Sequence, residues 1–340
     1  MQYDVLILGH GIAGAVFAET CRMRRLSVHV FDQKREGNAS MAAGGLVNPV
    51  VLRRDVPVWR ATELMTAVRT FYADWERHLG ISCWHPTPLV KLFPTANDVR
   101  QWKRAMADPA TAPFITCQPE PEVDASPLRA PHGYGTVTHA GWLDIPLLLE
   151  AHRSSLALEG RLAEREVRPT DIRTEPGGIR VGEVHGRWLV ECTGSFSTAQ
   201  GLLPVKGETL TVRIPGLRLS RMIHGKAGLQ PVADGLFRVG ATFKWTDLWE
   251  GPTQEARTAL LEQLWATVDA PVEVVAQHAG VRPAVRDRRP LLGKTGPHTV
   301  LFNGMGTRGV MLAPWCAAHL LEHLMDGKPL DPEVDRSRFD

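Results

Sequence analysis

Val5-Leu6-Ile7-Leu8 is apolar at every position and sits between Asp4 and a run of glycines. A strand with no polar face is buried on both sides, as in parallel sheets. A helical pattern follows the glycines through about Arg25. Ser27-Val28-His29-Val30-Phe31 predicts a second strand, which ends at Asp32. Leu189-Val190-Glu191-Cys192 predicts another strand, closing on Thr193-Gly194, and Thr299–Phe302 predicts a late one. After that strand, Pro314 fits the first turn of a helix. Ala317, Leu320, Leu321 and Leu324 give this helix one apolar face, and Gly327 is suited to cap it. Between Ala39 and Leu52 no residue is charged, which predicts a buried segment rather than a solvated loop.

With 340 residues the chain has material for one large domain or two interleaved ones. Hydrophobic residues make up 44% and charged residues 22%, an ordinary soluble balance. A formal net charge of +2 is too small to indicate nucleic acid or an anionic membrane. Cys21, Cys83, Cys117, Cys192 and Cys316 are odd in number and contain no CxxC pair, which argues against a disulfide framework or a zinc ribbon. A reducing, cytoplasmic compartment is the simpler expectation. No apolar run reaches the roughly 18–20 residues of a membrane span. The N-terminus lacks a basic start and is broken by Gly9, Gly11 and Gly14, so it reads as mature protein rather than a signal peptide.

The first glycine run is Gly9-His10-Gly11-Ile12-Ala13-Gly14, placed between strand and helix and followed by Asp32 at the end of the next strand. Strand, GxGxxG, helix, strand and acid within about 30 residues is the dinucleotide fingerprint. Gly9 permits the turn, Gly11 lets the backbone approach a pyrophosphate, and Gly14 lets helix and strand pack closely. The helix N-terminus aims N–H groups at phosphates, and Asp32 can accept from a ribose diol. His10 reads as a tolerated variable position. The pattern does not separate NAD from FAD.

The remaining motifs do. "DVLILGHGIAG…VFD", "ASMAAGGLVNP", "LVECTG", "PVKGETLTV", "GVRPAVRDRRPLLG" and "NGMGTRGVMLAP" resemble, in this order, the D-amino-acid oxidase superfamily. That family includes glycine oxidase, sarcosine oxidase and the oxidase domain of the tRNA-modifying enzyme MnmC. The resemblance spans almost the whole chain, and its last two motifs look most like the MnmC oxidase domain. It implies an α/β (overall α+β) fold: a Rossmann-like FAD-binding domain with an inserted, mainly antiparallel β-sheet substrate domain. The FAD domain would be discontinuous, over residues 1–80, 142–205 and 282–340, and the substrate domain would take 81–141 and 206–281. The expected cofactor is FAD. The first loop would hold its pyrophosphate through Gly9, Gly11, Ile12, Ala13 and Gly14, with Asp32 and Gln33 beyond. Ser40, Ala43, Gly44 and Gly45, then Thr193 and Gly194, would lie along it, and the Val167 backbone would meet the adenine. Gly304, Gly306, Thr307, Arg308, Gly309 and Val310 would meet the isoalloxazine.

The family's chemistry is oxidation of a C–N bond. A neutral amine loses hydride from its α-carbon to flavin N5, and the imine hydrolyses. The expected substrate is therefore an amine or amino acid. Arg282 matches the arginine that grips the substrate carboxylate, a contact suited to a guanidinium fork. Arg308 is the candidate beside the flavin, and Lys244 lies near where sarcosine oxidases place an oxygen-activating lysine. His224 and Lys226 are weaker pocket candidates. Glycine-oxidase-like sequences place a tyrosine three residues before a proline here; this chain has Gly228 before Pro231, which implies a more open pocket or a bulkier substrate. Removal of a carboxymethyl group from a tRNA wobble uridine is the alternative, and a flavin-binding protein without turnover is another. His319-Leu-Leu-Glu322-His323 spells a zinc-peptidase-like pattern without a further downstream ligand, so no metal is expected. Trp59, Trp75, Trp84 and Trp102, interleaved with basic residues, read as core with a solvated face rather than as an RNA surface.

Overall fold

The computed structural model describes residues 2–117, 127–233 and 235–340. The strand that leads into the first glycine loop, Gln2–Leu8, lies inside an eight-stranded sheet. It pairs in parallel with Val28–Asp32 on one side and Val184–Glu191 on the other. Its alternation serves two cores. Val5 and Ile7 enter the larger cluster with Phe17, Tyr72 and Trp75, while Leu6 and Leu8 enter another with Phe31 and Leu189. Burial on both faces is why the run is apolar throughout. Leu162–Glu164 extends the sheet in parallel beyond Val28–Asp32. On its outer side Val184–Glu191 changes partner part-way along: its early residues pair antiparallel with Gly178–Val181, its late ones parallel with Thr299–Asn303.

The helices Ile12–Met23, Ala61–Leu79, Ile145–Leu158 and Gly309–Asp326 supply much of the larger core. Trp75 and Trp102 are fully buried, so those members of the tryptophan series are core side chains. The last helix begins at Gly309, five residues earlier than its sequence suggests, so Pro314 lies inside it. Pro314 cannot donate to the Val310 carbonyl one turn back. The Tyr72 hydroxyl donates to that oxygen instead at 2.9 Å, which removes the objection to an internal proline. Gly327, left-handed at φ 70°, caps the helix as expected.

A second eight-stranded sheet runs in the order Glu273–Arg282, Val205–Arg213, Leu236–Gly240, Gly228–Ala233, Met222–His224, Leu89–Leu92, Tyr134–Val137, Ile115–Thr116. Only Met222–His224 with Leu89–Leu92 is parallel; the other pairs are antiparallel. One face packs Leu210, Phe237 and Val239 under the helix Gln254–Trp265. The other face carries Thr209, Arg238 and Gly240, which turn toward a cavity. The two sheets meet where Val281 N–H donates to the Gly37 carbonyl at 2.9 Å and the Ser195 hydroxyl donates to the Val281 carbonyl at 2.7 Å. Among the described residues no helix is long and apolar enough to cross a membrane.

Candidate active site

Both sheets line a cavity of about 770 Å³. Every expected cofactor residue lines it except Gly14 and Gly304. Those two glycines shape the wall from behind. A Cβ on Gly14 would lie 1.9 Å from the Gly9 carbonyl oxygen, and one on Gly304 would lie 2.7 Å from a Val285 methyl. Gly9 is left-handed at φ 98°, and a Cβ there would meet the Cys192 carbonyl at 2.7 Å. Strand, loop and neighbouring strand therefore fit together only if these positions carry no side chain.

At one end of the cavity the helix Ile12–Met23 begins at Gly11, which offers no capping side chain. Ser40 Oγ accepts from Ile12 N–H at 3.0 Å, and Asn38 Oδ1 accepts from Ser40 N–H at 2.8 Å. The uncharged segment is thereby pinned to the helix N-terminus. Asp32 accepts from His10 N–H at 3.0 Å and from the guanidinium of Arg153, which also reaches Glu164 at 2.7 Å. His10 is buried against His152, with ring nitrogens 3.0 Å apart. Burial, with Arg153 nearby, pushes the His10 pKa down to about 3, so the ring is neutral. His10 is thus part of a buried pair rather than a freely variable position.

At the other end three arginines reach the cavity, and each leans on a backbone carbonyl. Arg282 Nη1 donates to Thr242 O at 3.0 Å, Arg308 Nη1 to Asn48 O at 2.9 Å, and Arg238 Nη1 to Ala43 O at 2.7 Å. None has a carboxylate ion-pair partner among the described residues. Burial pushes Arg282 down to about 10, and burial with Arg288 nearby does the same to Arg308. Arg282 also stacks on Phe243 at 4.7 Å. Cations left in this condition are costly unless an anion joins them.

Lys244 does not reach the cavity. Its Nζ pairs with Asp247 at 3.1 Å and Glu255 at 3.5 Å instead, although its neighbour Phe243 lines the cavity. Lys226 is exposed and also outside the lining, whereas His224 lines the cavity. Burial, with Lys91 nearby, pushes the His224 pKa down to about 4. His319 Nε2 accepts from Asp331 N–H at 2.9 Å, and His323 contacts the Lys328 carbonyl at 2.7 Å, so both are engaged in closing the end of their helix.

Sequence reasoning missed Arg238, Gln230 and Asn303. Asn303 is fully buried; its amide donates to the Gly194 carbonyl at 2.9 Å and its oxygen accepts from Gly304 N–H at 2.8 Å. It joins the Thr193-Gly194 turn to the terminal glycine loop. An asparagine ending the apolar run Thr299–Phe302 was the available signal.

The donor set fits an extended dinucleotide: a helix N-terminus, a buried acid, a wall of small residues, and cations at the far end. A family model described as DAO, FAD dependent oxidoreductase, matches residues 4–323. The chain belongs to this family of FAD-dependent oxidoreductases. It is similar to glycine oxidase of Pseudomonas putida, with 24% identity over 100% of this chain and 98% of that one. The bifunctional tRNA-modifying protein MnmC of Marinobacter nauticus shares 23% identity over 94% of this chain, but over only 55% of its own length. Among solved structures, glycine oxidase of Geobacillus kaustophilus superposes with a TM-score of 0.77 at 21% identity, covering 100% of this chain and 98% of that one. Iminodiacetate oxidase from a Chelativorans strain gives 0.78 at 20%, covering 99% and 98%. These structural likenesses establish the Rossmann-type flavoenzyme fold that the motifs implied.

Proposed function

We propose that this FAD-dependent oxidoreductase oxidises the C–N bond of an amine or amino acid that carries a carboxylate. The observation that carries the reading is Arg282: a crowded guanidinium at the cavity wall with no acid partner, stacked on Phe243. A carboxylate is the anion whose planar geometry matches that fork. In this reading the segments 1–80, 142–205 and 282–340 hold FAD, and 81–141 with 206–281 form the substrate side. Gly9 to Gly14 and Asp32 hold the nucleotide, and the uncharged 39–48 segment and the Gly304–Val310 loop flank the ring. When bound, FAD would take up the hydride, two electrons with one proton, lost from the carbon beside the nitrogen as C–N becomes C=N.

The protein's own contribution is placement. Arg282 fixes the carboxylate and therefore the carbon beside it. Arg308, at the start of the Gly309–Asp326 helix, adds positive potential with that helix's N-terminus. Among the described residues that line the cavity, none offers a strong base at the Arg282 end: His224 is held neutral with little basicity. The amine therefore loses its proton to water before oxidation, and the imine product takes up water to give a carbonyl compound and an amine.

The similarity to glycine oxidases and to iminodiacetate oxidase supports this substrate class. Anaerobic absorption spectroscopy tests it. Small amino acids and N-substituted glycines should bleach the flavin, while the matching hydroxy acids should not. Bleaching by hydroxy acids, or only by a modified tRNA, would replace this reading.

A further inference from the structure

Arg282 occupies a seat that two neighbouring segments build. It ends the strand Glu273–Arg282 directly opposite Val205, and its diagonal neighbour on the same face is Gly207. The guanidinium fills the space that a Gly207 side chain would take. A Cβ there would lie 1.9 Å from Nη2, 2.1 Å from Cζ and 2.2 Å from Nη1. Gly280, across the ladder from Gly207, is bare for another reason: a Cβ there would meet Ala42 Cβ at 2.9 Å. Gly207 has no left-handed φ, so its backbone conformation does not demand glycine. Room for the guanidinium does.

The second part of the seat lies just past the strand Leu236–Gly240. Thr242 N–H donates to the Glu208 carbonyl at 3.1 Å, and Lys206 and Lys244 exchange backbone hydrogen bonds at 2.9 and 3.0 Å. These bonds hold residues 242–244 alongside Val205–Arg213. They bring the Thr242 carbonyl to Arg282 Nη1 and the Phe243 ring to 4.7 Å from Arg282 Cζ. Phe243 is 56% exposed and belongs to none of the hydrophobic clusters, so it is not there to fill a core. What the ring covers is the guanidinium. Arg282 Nε and Nη2 make no hydrogen bond among the described residues and are not sealed off. They are the donors a carboxylate can use.

We propose that Gly207 and Phe243 are positioning residues for substrate recognition: Gly207 admits the Arg282 guanidinium and Phe243 holds it, keeping its unused nitrogens aimed at the substrate carboxylate. Both act through Arg282. This rests on the amine-oxidation reading above.

The test compares anaerobic flavin reduction of the FAD-loaded enzyme by the small amino acid that bleaches it fastest and by the carboxamide of that amino acid. Gly207→Ala leaves the backbone unstrained but displaces the guanidinium, and should lower the acid-to-amide ratio of second-order rate constants about tenfold or more. Phe243→Leu should lower it about three- to tenfold, whereas Phe243→Tyr, which keeps an aromatic face, should stay within about twofold of wild type. A purely structural role would slow both substrates alike. A ratio unchanged in Gly207→Ala or Phe243→Leu, or a loss in Phe243→Tyr as large as in Phe243→Leu, overturns the proposal. Calorimetric titration with acetate, against acetamide, reads the same seat without turnover, and both damaging variants should weaken acetate by the same factors. No reduction by any amine overturns the underlying reaction. The acetate titration then still decides: weaker binding in both variants upholds the seat, and no binding by wild type or equal binding in the variants overturns it.

Discussion

At the Asp32 end of the cavity, charge is settled within the chain: Arg153 bridges Asp32 and Glu164, and His10 is neutral against His152. At the Arg282 end, three guanidiniums rest on the carbonyls of Ala43, Asn48 and Thr242 and, among the described residues, form no ion pair with an acid. The contrast separates charges paired within the chain from charges that rest on carbonyls alone. A backbone carbonyl satisfies one donor but does not neutralise a cation. The buried charge of Asp32 is therefore balanced within the chain, whereas the guanidiniums at the Arg282 end have no counter-charge among the described residues.

The largest expected effect comes from emptying the unpaired end. Arg282→Met should lower kcat/KM for carboxylate-bearing amines by about 2–5 kcal/mol, roughly 30-fold to several thousand-fold. FAD content should change little, so the two readouts separate the ends of the cavity. Asp32→Asn should do the reverse. It removes a charge-assisted bond to Arg153 and should weaken FAD retention or fold stability by about 1–3 kcal/mol, measured by FAD titration and urea unfolding. A loss of substrate affinity with intact FAD binding in Asp32→Asn would break the comparison.

Acid should affect both ends through their buried histidines. The folded protein holds His10 near 3 and His224 near 4, each depressed by burial from the ordinary histidine value of about 6.5. Below about pH 6.5 the unfolded chain takes up protons that the folded one refuses, so stability falls as pH drops toward 4. Each histidine contributes a slope of up to about 1.4 kcal/mol per pH unit. Urea unfolding from pH 7 to pH 4.5 should show this, and His10→Asn and His224→Asn should each flatten it. An unchanged slope in either variant would mean that histidine is not held neutral. The smallest effect belongs to Lys244→Ala. Its ion pairs are solvent-screened and contribute little, and both turnover and oxygen reactivity should stay within about twofold of wild type.

The Asp32 end was the more legible in sequence because its signals are local. Strand, glycine turn, helix and acid follow one another within about 30 residues, and each is dictated by its own backbone demands. The Arg282 end is assembled from distant strands, so only resemblance could point to Arg282 and Arg308. Arg238 escaped notice because a charged residue alternating with Phe237 and Val239 looks the same whether its face meets water or a cavity. Lys244 is separated from the cavity lining by a single step along the chain from Phe243, a difference that local sequence does not show. The early start of the last helix was hidden by Pro314, since nothing in the local sequence shows that Tyr72 would satisfy the Val310 carbonyl.

The most direct test is a crystal structure of the FAD-loaded protein with a small, unreactive carboxylate bound. The account predicts the adenosine half beside Asp32 and Val167, the ring between residues 43–45 and the Gly304–Val310 loop, and the carboxylate within hydrogen-bonding distance of Arg282. A ring at the Asp32 end, or a carboxylate bound away from Arg282, would contradict it.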